Sequence, residues 1–265
     1  FCKQMFARSG VVRPIYVFPH PIDLNLFHPG PRTPLLIGDE EVNPKNRCTF
    51  LSVFQWSQRK DPHSLLLAWW AEFWDNPDVA LVIKTYGMDF RDNQAIMDAI
   101  RRFKADCGVR HGANVYLLTK QFDNERMADL YRSCDVYVSA TRGEGFGLPF
   151  QEAQACGLPS IYPDASSLPE IAVGWPVKTH PEPARSSGSR WYTVEMDWWS
   201  VDIQDLRRQL RAAFQTWQSS NKAMPEALRK QACASVEGHT FGKVGQAFMD
   251  RLRQADPGKS QAAPQ

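Results

Sequence analysis

Residues 134–159 read CDVYVSATRGEGFGLPFQEAQACGLP. The apolar run at 135–140 predicts a buried strand, and residues 148–156 predict a helix that ends at Gly157. Residues 141–147 then form the turn between them. A strand, a glycine-rich turn and a helix in this order make up the unit from which parallel α/β sheets are built.

The same alternation runs through much of the chain after residue 46. Strands are predicted at 48–56, 79–86, 114–120 and 159–165, and helices at 61–74, 93–108 and 123–134. Asp61 and Asp123 are predicted N-caps, and Pro62 suits the first helical position. The alternation predicts an α/β fold with a Rossmann-like, doubly wound parallel sheet. Such sheets bind ligands at the carboxyl ends of their strands.

Three regions are expected from these patterns. Residues 1–45 are rich in proline and predict the end of a preceding domain followed by an extended connector. Residues 46–256 are the predicted Rossmann-like ligand-binding domain, and residues 257–265 a disordered tail.

The later part of the predicted domain departs from the simple alternation. Residues 167–172 predict a short helix that opens with a capping box of Ser167 and Glu170. Residues 174–200 are expected to be a long excursion. Helices are predicted again at 201–218 and 242–254.

Composition narrows the possible partners. The formal net charge is +2, which gives no electrostatic reason to expect nucleic-acid binding. No apolar run approaches the roughly 20 residues of a membrane-spanning helix, so no transmembrane segment is expected. The six cysteines include no Cys-x-x-Cys pair and no histidine cluster accompanies them, which argues against a zinc site. Scattered thiols of this kind indicate a cytoplasmic protein.

Glu144 and Glu152 bracket the turn, although neither a strand nor a helix requires them there. Gly145 and Gly147 allow the backbone to approach a ligand closely, and the free amides at the start of the helix favour a phosphate. A carboxylate would repel that phosphate, so the glutamates fit sugar hydroxyls better. Hydroxyls on both sides of a diphosphate describe a nucleotide sugar. The alternative is a structural turn with a solvated glutamate.

The stretch EGFGLPFQEAQACGLP (144–159) resembles the Glu-x7-Glu signature of retaining glycosyltransferases with the GT-B fold, the large family that includes sucrose and glycogen synthases. The segments VFPHPIDLNLFHP (17–29) and DASSLPEIA (164–172) resemble the same family. The resemblance implies that this chain is the C-terminal half of a GT-B fold. It also implies that Glu144, the catalytic candidate, contacts the transferred sugar and that Glu152 binds the ribose.

Further donor-binding residues follow from the resemblance. Gly145 and the amides of Phe146, Gly147 and Leu148 would lie against the sugar and the diphosphate. In SVFQWSQRKD (52–61), Lys60 matches the lysine with which the family binds the diphosphate.

Two residues of this second motif depart from the family pattern. Gln55 stands where the family has an arginine, and glutamine carries no charge. Asp61 stands where the family has a glycine. We hypothesise that Arg59 supplies the charge that Gln55 lacks. The alternative for Arg59 and Lys60 is a solvated pair of loop charges.

Weaker candidates follow the second and third predicted strands. Lys84 and Thr85 could face the ligand or be structural. Residues 119–122 lie where the family places the nucleotide base, through backbone contacts.

The resemblance implies the donor-binding domain of a glycosyltransferase that transfers a sugar from a nucleotide-diphosphate sugar with retention of configuration. No Asp-x-Asp pair occurs, so no metal or other cofactor is expected. The acceptor half is expected in an N-terminal domain outside this chain, which would leave the isolated chain inactive. A non-catalytic nucleotide-sugar-binding module is the alternative. UDP, GDP and ADP sugars are all open as donors.

Overall fold

The computed structural model describes residues 1–86, 93–184 and 192–255. The strands within these ranges are β1 (Leu36–Ile37), β2 (Glu40–Glu41), β3 (Cys48–Gln55), β4 (Val79–Tyr86), β5 (Asn114–Leu118), β6 (Val136–Val138), β7 (Ser160–Pro163), β8 (Gly174–Val177), β9 (Thr179–Pro183) and β10 (Asp197–Val201). The α-helices are α1 (Cys2–Arg8), α2 (Pro62–Phe73), α3 (Asn93–Asp106), α4 (Asn124–Arg132), α5 (Leu148–Ala155), α6 (Ile203–Ser219), α7 (Glu226–Ala234) and α8 (Phe241–Ala255).

Strands β3 to β8 form one six-stranded sheet in the spatial order β5-β4-β3-β6-β7-β8. Every neighbouring pair in it is parallel. Numbered from β3 as the first strand, the order is 3-2-1-4-5-6, that of a doubly wound Rossmann-like sheet. The predicted fold class is therefore confirmed. The order reverses between β3 and β6, and a ligand crevice is expected above the carboxyl ends of these two strands.

The alternation in the sequence was a reliable guide between residues 46 and 165. Each predicted strand and helix there lies within two residues of its observed bounds. The predicted caps are also confirmed: Asp61 accepts a hydrogen bond from Ser64 N at 3.2 Å, and Asp123 from Arg126 N at 2.8 Å. Pro62 begins α2, where its missing N–H costs nothing.

The sheet is buried on both faces. On one face, α2 and α6 pack against β3 and β4, with the rings of Trp69 and Phe50 5.2 Å apart. On the other face, α4 and α5 pack together with residues from the 1–45 segment, among them Phe27. Each large apolar side chain buried in this way contributes about 1.5–3 kcal/mol. The two layers hold the carboxyl edge of the sheet, and the loops on it, in place.

The expectation of a long excursion at residues 174–200 is wrong for β8, whereas β9 and β10 do lie outside the six-stranded sheet. β8 is the sixth strand of the sheet, and β9 and β10 pair as an antiparallel hairpin. Gly174 makes the β8 contact possible, because an added Cβ would lie only 2.3 Å from Ser160 O. Pro176 is tolerated because β8 is the edge strand. Because two of the four residues of β8 are a glycine and a proline, its sequence does not match the pattern of a strand.

The predicted capping box is also wrong. Leu168–Glu170 form a single 3-10 turn, and Ser167 makes no capping bond to it. Ser167 Oγ instead donates to Glu144 O at 3.0 Å. The serine therefore supports the loop that carries the candidate catalytic residue.

The connector predicted at 1–45 contains two short regular elements, α1 and the β1–β2 hairpin. Ile22 N donates to His239 O at 2.8 Å, so this segment is tied to the 3-10 turn that precedes α8. The boundaries of the three predicted regions remain predictions. The predicted tail, residues 257–265, lies outside the described residues.

Candidate active site

The loops after β3 and β6 meet where the strand order reverses. Arg142 N donates to Arg59 O at 2.8 Å, and the Asp61 carboxylate pairs with Arg142 Nε at 3.0 Å. Asp61 has a φ of +47°, a left-handed conformation that suits glycine and that aspartate tolerates better than most residues. The aspartate therefore keeps the backbone conformation that the glycine of the family pattern would favour.

Glu144 lies in the loop between β6 and α5, with 12% of its side chain exposed. Its carboxylate forms an ion pair with Lys60 Nζ, and Arg59 Nη1 lies 3.5 Å from its Oε2. Its backbone is also fixed, because Glu144 N donates to Ser166 Oγ at 3.2 Å and its carbonyl accepts from Ser167. The fold therefore brings together three residues singled out from the sequence, which lie 84 and 85 positions apart along the chain.

Lys60 is nearly as shielded as Glu144, with 13% of its side chain exposed. Burial lowers the pKa of Lys60, and the Glu144 carboxylate opposes that shift. An ammonium group has three N–H donors, so the bond to Glu144 leaves others for a ligand. The diphosphate contact expected of Lys60 remains a prediction.

Arg59 and Gln55 occupy different parts of the site. The Arg59 guanidinium donates to Gly143 O and approaches Glu144. Gln55 ends β3, half-buried, in register with Tyr86 of β4. Arg59 is thus held by the glycine turn, and its role as a replacement for a charge at Gln55 remains a prediction.

The glycine turn leads directly into α5. Gly147 is the N-cap of α5 and has a φ of +93°, as expected for a glycine that turns the chain. Gly145 does not share this conformation. In the described part of the chain, the amides of Phe146, Gly147 and Leu148 donate to no protein acceptor. These three amides and the positive end of the helix dipole can bind an anion.

Gly147→Ala is expected to lower the free energy of unfolding by about 1–3 kcal/mol. The new Cβ would be strained at the left-handed φ and would lie 2.9 Å from Leu168 Cδ2. Urea denaturation measures the change. Gly145→Ala is the matched control, because a Cβ there meets nothing within 4 Å, and its effect should stay within about 0.5 kcal/mol. Equal losses in the two variants would contradict this account of the turn.

Glu152 lies in the second turn of α5. Its Oε2 accepts a hydrogen bond from Tyr131 Oη at 2.7 Å. Burial raises the pKa of Glu152, and the bond from Tyr131 opposes that shift. No hydrogen bond from the described residues reaches Oε1, which leaves an acceptor for a hydroxyl. The geometry allows the predicted ribose contact, which remains a prediction.

Glu152→Gln is expected to raise the melting temperature at pH 7. The folded-state pKa of Glu152 is raised, so its stabilising contribution is complete below the ordinary carboxyl pKa and is lost as the pH rises through the raised value. The gain should therefore disappear near about pH 4. Calorimetry at both pH values measures it.

Glu182→Gln is the control of opposite sign. A hydrogen bond from Ser200 lowers the pKa of Glu182, so that substitution should give no gain at pH 7. A melting temperature of Glu152→Gln at or below that of the unchanged protein at pH 7 would contradict the burial argument.

Cavities lined by described residues adjoin the turn. One of about 680 Å³ is lined by Glu144, Arg59 and Arg142 together with Tyr192, Trp198 and Trp199. Another, of about 760 Å³, lies beside Gly145, Phe146 and His20. Both volumes lie in the usual range for small-molecule sites.

Sequence reasoning did not find the aromatic wall of the first cavity. Trp198 and Trp199 belong to β10, in the segment expected to leave the sheet. The residues next to them along the chain do not indicate that the two tryptophans line a site. Arg142 was not singled out either, although its guanidinium lies 5.7 Å from the Trp198 ring centroid. Trp199 N donates to Arg142 O at 2.9 Å, and this contact between residues distant along the chain brings β10 to the site.

In residues 1–86, 93–184 and 192–255, no group of three or more His, Cys, Asp or Glu side chains is placed to hold a metal ion. The same ranges contain no helix that is long and apolar enough to cross a membrane.

Residues 45–180 match the family model described as glycosyl transferases group 1. The chain belongs to this family. The matched region contains both loops of the site and the whole Glu144–Glu152 stretch. The expected membership of a glycosyltransferase family and the GT-B-like fold are confirmed, whereas the activity and the retaining mechanism remain predictions.

Individual members of the family and solved structures are similar to this chain. D-inositol 3-phosphate glycosyltransferase 2 of Catenulispora acidiphila is 31% identical over 143 residues, which cover 53% of this chain and 32% of that protein. The chain therefore matches about a third of the length of this curated relative.

Two solved structures share the fold at low identity. The C-terminal domain of LpcC, a glycosyl transferase group 1 family protein of Francisella tularensis, is 17% identical with a TM-score of 0.55, over 81% of this chain and 96% of that domain. HepE of Anabaena, solved with UDP and glucose, is 15% identical with a TM-score of 0.65, over 95% of this chain and 60% of that one.

Proposed function

We propose that this chain is the donor-binding half of a glycosyltransferase and binds a nucleotide-diphosphate sugar in the crevice above β3 and β6. The observation that carries the proposal is the Lys60–Glu144 pair, placed at the reversal of strand order beside the free amides of residues 146–148. Membership of the glycosyl transferases group 1 family supports it. HepE, of similar fold, binds UDP and glucose.

The donor is oriented by the two glutamates. Glu144 accepts hydrogen bonds from hydroxyls of the transferred sugar, and Glu152 accepts them from the ribose. Tyr131 holds one oxygen of Glu152 and leaves the other for the ribose. The diphosphate lies between the two carboxylates, on the amides of Phe146, Gly147 and Leu148.

The reaction breaks the bond between the anomeric carbon and the diphosphate oxygen. Negative charge grows on that oxygen as the bond breaks, and Lys60 and the helix amides stabilise it without a metal ion. The acceptor hydroxyl forms the new bond on the same face of the sugar, which retains the configuration. Its proton passes to the departing diphosphate oxygen.

The acceptor is bound by a domain outside this chain. The chain covers nearly the whole of the solved LpcC C-terminal domain but only 60% of HepE, which supports its assignment as one half of a two-domain enzyme. On this reading the isolated chain binds donor and does not transfer sugar.

A cytoplasmic location is part of the proposal. All six cysteines are free, and three of them, Cys48, Cys134 and Cys156, are buried. Unpaired thiols of this kind suit a reducing compartment.

Calorimetric titration with UDP-glucose, GDP-mannose and ADP-glucose tests the proposal. One of the three is expected to bind, and the double variant Glu144→Gln/Glu152→Gln should bind it much more weakly. Absence of binding by all three would contradict the proposal. Donor binding without any sugar transfer by the full-length protein would favour the non-catalytic binding module.

A further inference from the structure

Lys84 is a buried lysine that has no acidic partner among the described residues. Only 7% of the residue is exposed, and in the described ranges it forms no hydrogen bond and no ion pair. Its Nζ lies 5.3 Å from the centroid of the Phe122 ring. Burial lowers the pKa of Lys84, and no carboxylate of the described residues opposes the shift. A buried cation with only an aromatic ring beside it costs free energy, and an anionic ligand would lower that cost.

The strand register places Lys84 at the carboxyl edge of the sheet. Lys84 is paired with Val53 of β3 and with Leu118 of β5, two residues before the end of β4. Val53 and Leu118 pack on the face covered by α4 and α5. Phe122, in the loop after β5, packs on that same face. Lys84 is therefore on the side of the sheet that carries α5.

Glu152 lies on this same side. Tyr131, which binds Glu152, has its ring centroid 6.4 Å from that of Tyr137. Tyr137 Oη in turn donates to Val53 O at 3.2 Å, and Val53 is the register partner of Lys84. A series of contacts through the Tyr131 and Tyr137 side chains and the Val53 backbone thus connects the predicted ribose contact with the strand position of Lys84.

We propose that Lys84 binds the phosphate next to the ribose, while Lys60 binds the phosphate next to the transferred sugar. This inference rests on the proposed function and divides the diphosphate between two lysines. Lys60 accompanies Glu144, the sugar contact, and Lys84 accompanies Glu152, the ribose contact. Gln55 follows Val53 by two residues on the same strand face and brings no charge. The inference therefore assigns the cation there to Lys84 in place of Arg59, which donates to Gly143 O in the glycine turn.

Titration with uridine, UMP and UDP, or the corresponding series of whichever nucleotide sugar binds, tests the division. Lys84→Met keeps an unbranched side chain, one heavy atom shorter, and removes its charge. It is expected to weaken UMP and UDP about tenfold to a hundredfold and to leave uridine unchanged. Lys60→Ala should weaken UDP and leave UMP within about threefold.

The melting temperature of Lys84→Met and two further variants separate a binding role of Lys84 from a structural one. Lys84→Met should raise the melting temperature of the ligand-free protein, since it replaces an unpaired buried charge. Gln55→Arg added to Lys84→Met should restore affinity for UMP, because it returns a cation to the same face. Lys104→Met is the matched control: Lys104 also lies over a ring, that of Trp70 at 5.8 Å, but on α3.

Lys84→Met binding of UMP and UDP at unchanged affinity would overturn the inference and leave the proposed function standing. A lower melting temperature combined with equal losses for uridine and UMP would assign Lys84 a structural role and would also overturn it. Binding of no nucleotide by the unchanged protein would overturn the inference and the proposed function together.

Discussion

Glu144→Gln is expected to reduce sugar transfer by the full-length protein at least about a hundredfold. Glutamine keeps the shape of the side chain but loses the charge that holds the sugar hydroxyls. It also releases Lys60 from its ion pair. Binding of a nucleoside diphosphate without the sugar should therefore be unchanged or tighter. Initial rates of transfer and calorimetric affinities for UDP, or for the diphosphate of the donor that binds, measure the two effects.

Glu72→Gln is the matched control for this prediction. Glu72 lies near the far end of α2, and its side chain is 4% exposed and ion-paired to Arg211. It is therefore at least as shielded and as paired as Glu144, but it is remote from the glycine turn. The control should lose stability without losing transfer. Transfer by Glu144→Gln at more than about a tenth of the original rate would contradict a catalytic role for Glu144.

Lys60→Ala is expected to cause a loss of similar size. Removal of the Lys60 cation deprives the Glu144 carboxylate of its closest ion-pair partner. The carboxylate stays shielded from water and lies beside the diphosphate of the bound donor. Affinity for the donor should fall about tenfold to a hundredfold, and transfer about a hundredfold to a thousandfold, because charge on the leaving group grows during the reaction.

The double variant Lys60→Ala/Glu144→Gln separates two causes of this loss. If part of it comes from repulsion by the unpaired carboxylate, the double variant should bind the nucleoside diphosphate more tightly than Lys60→Ala alone. Donor affinity that is unchanged in Lys60→Ala would contradict the diphosphate role.

Local patterns in the sequence are enough to predict most strands of the central sheet. The strands from β3 to β7 are apolar runs with clear boundaries, and Asp61 and Asp123 mark helix starts by side-chain bonds within three residues. Such signals depend on neighbours along the chain, so one sequence is enough to find them. The glycine at position 147 belongs to the same class, because its positive φ is a local requirement.

The parts that escaped prediction depend on distant partners. β8 is a strand only because Gly174 allows it to lie against Ser160. Ser167 matches a local capping pattern, but its hydroxyl donates a hydrogen bond to the distant carbonyl of Glu144 instead. Pairing of Lys60 with Glu144 likewise follows from the strand order, which no local pattern encodes.

Candidate site residues could be chosen from the sequence, although their partners could not. The resemblance identified Glu144, Glu152 and Lys60, and the fold places the first and third in contact. It gave no reason to select Arg142 or the tryptophans of β10, which reach the site through tertiary structure.

A crystal structure of the protein with its nucleotide sugar is the most direct test of the central claim. The account predicts the transferred sugar within hydrogen-bond distance of Glu144, the ribose at Glu152 and the diphosphate on the amides of Phe146, Gly147 and Leu148. A donor bound elsewhere, for example in the cavity of about 260 Å³ beside Arg32 and Arg229, would contradict the account.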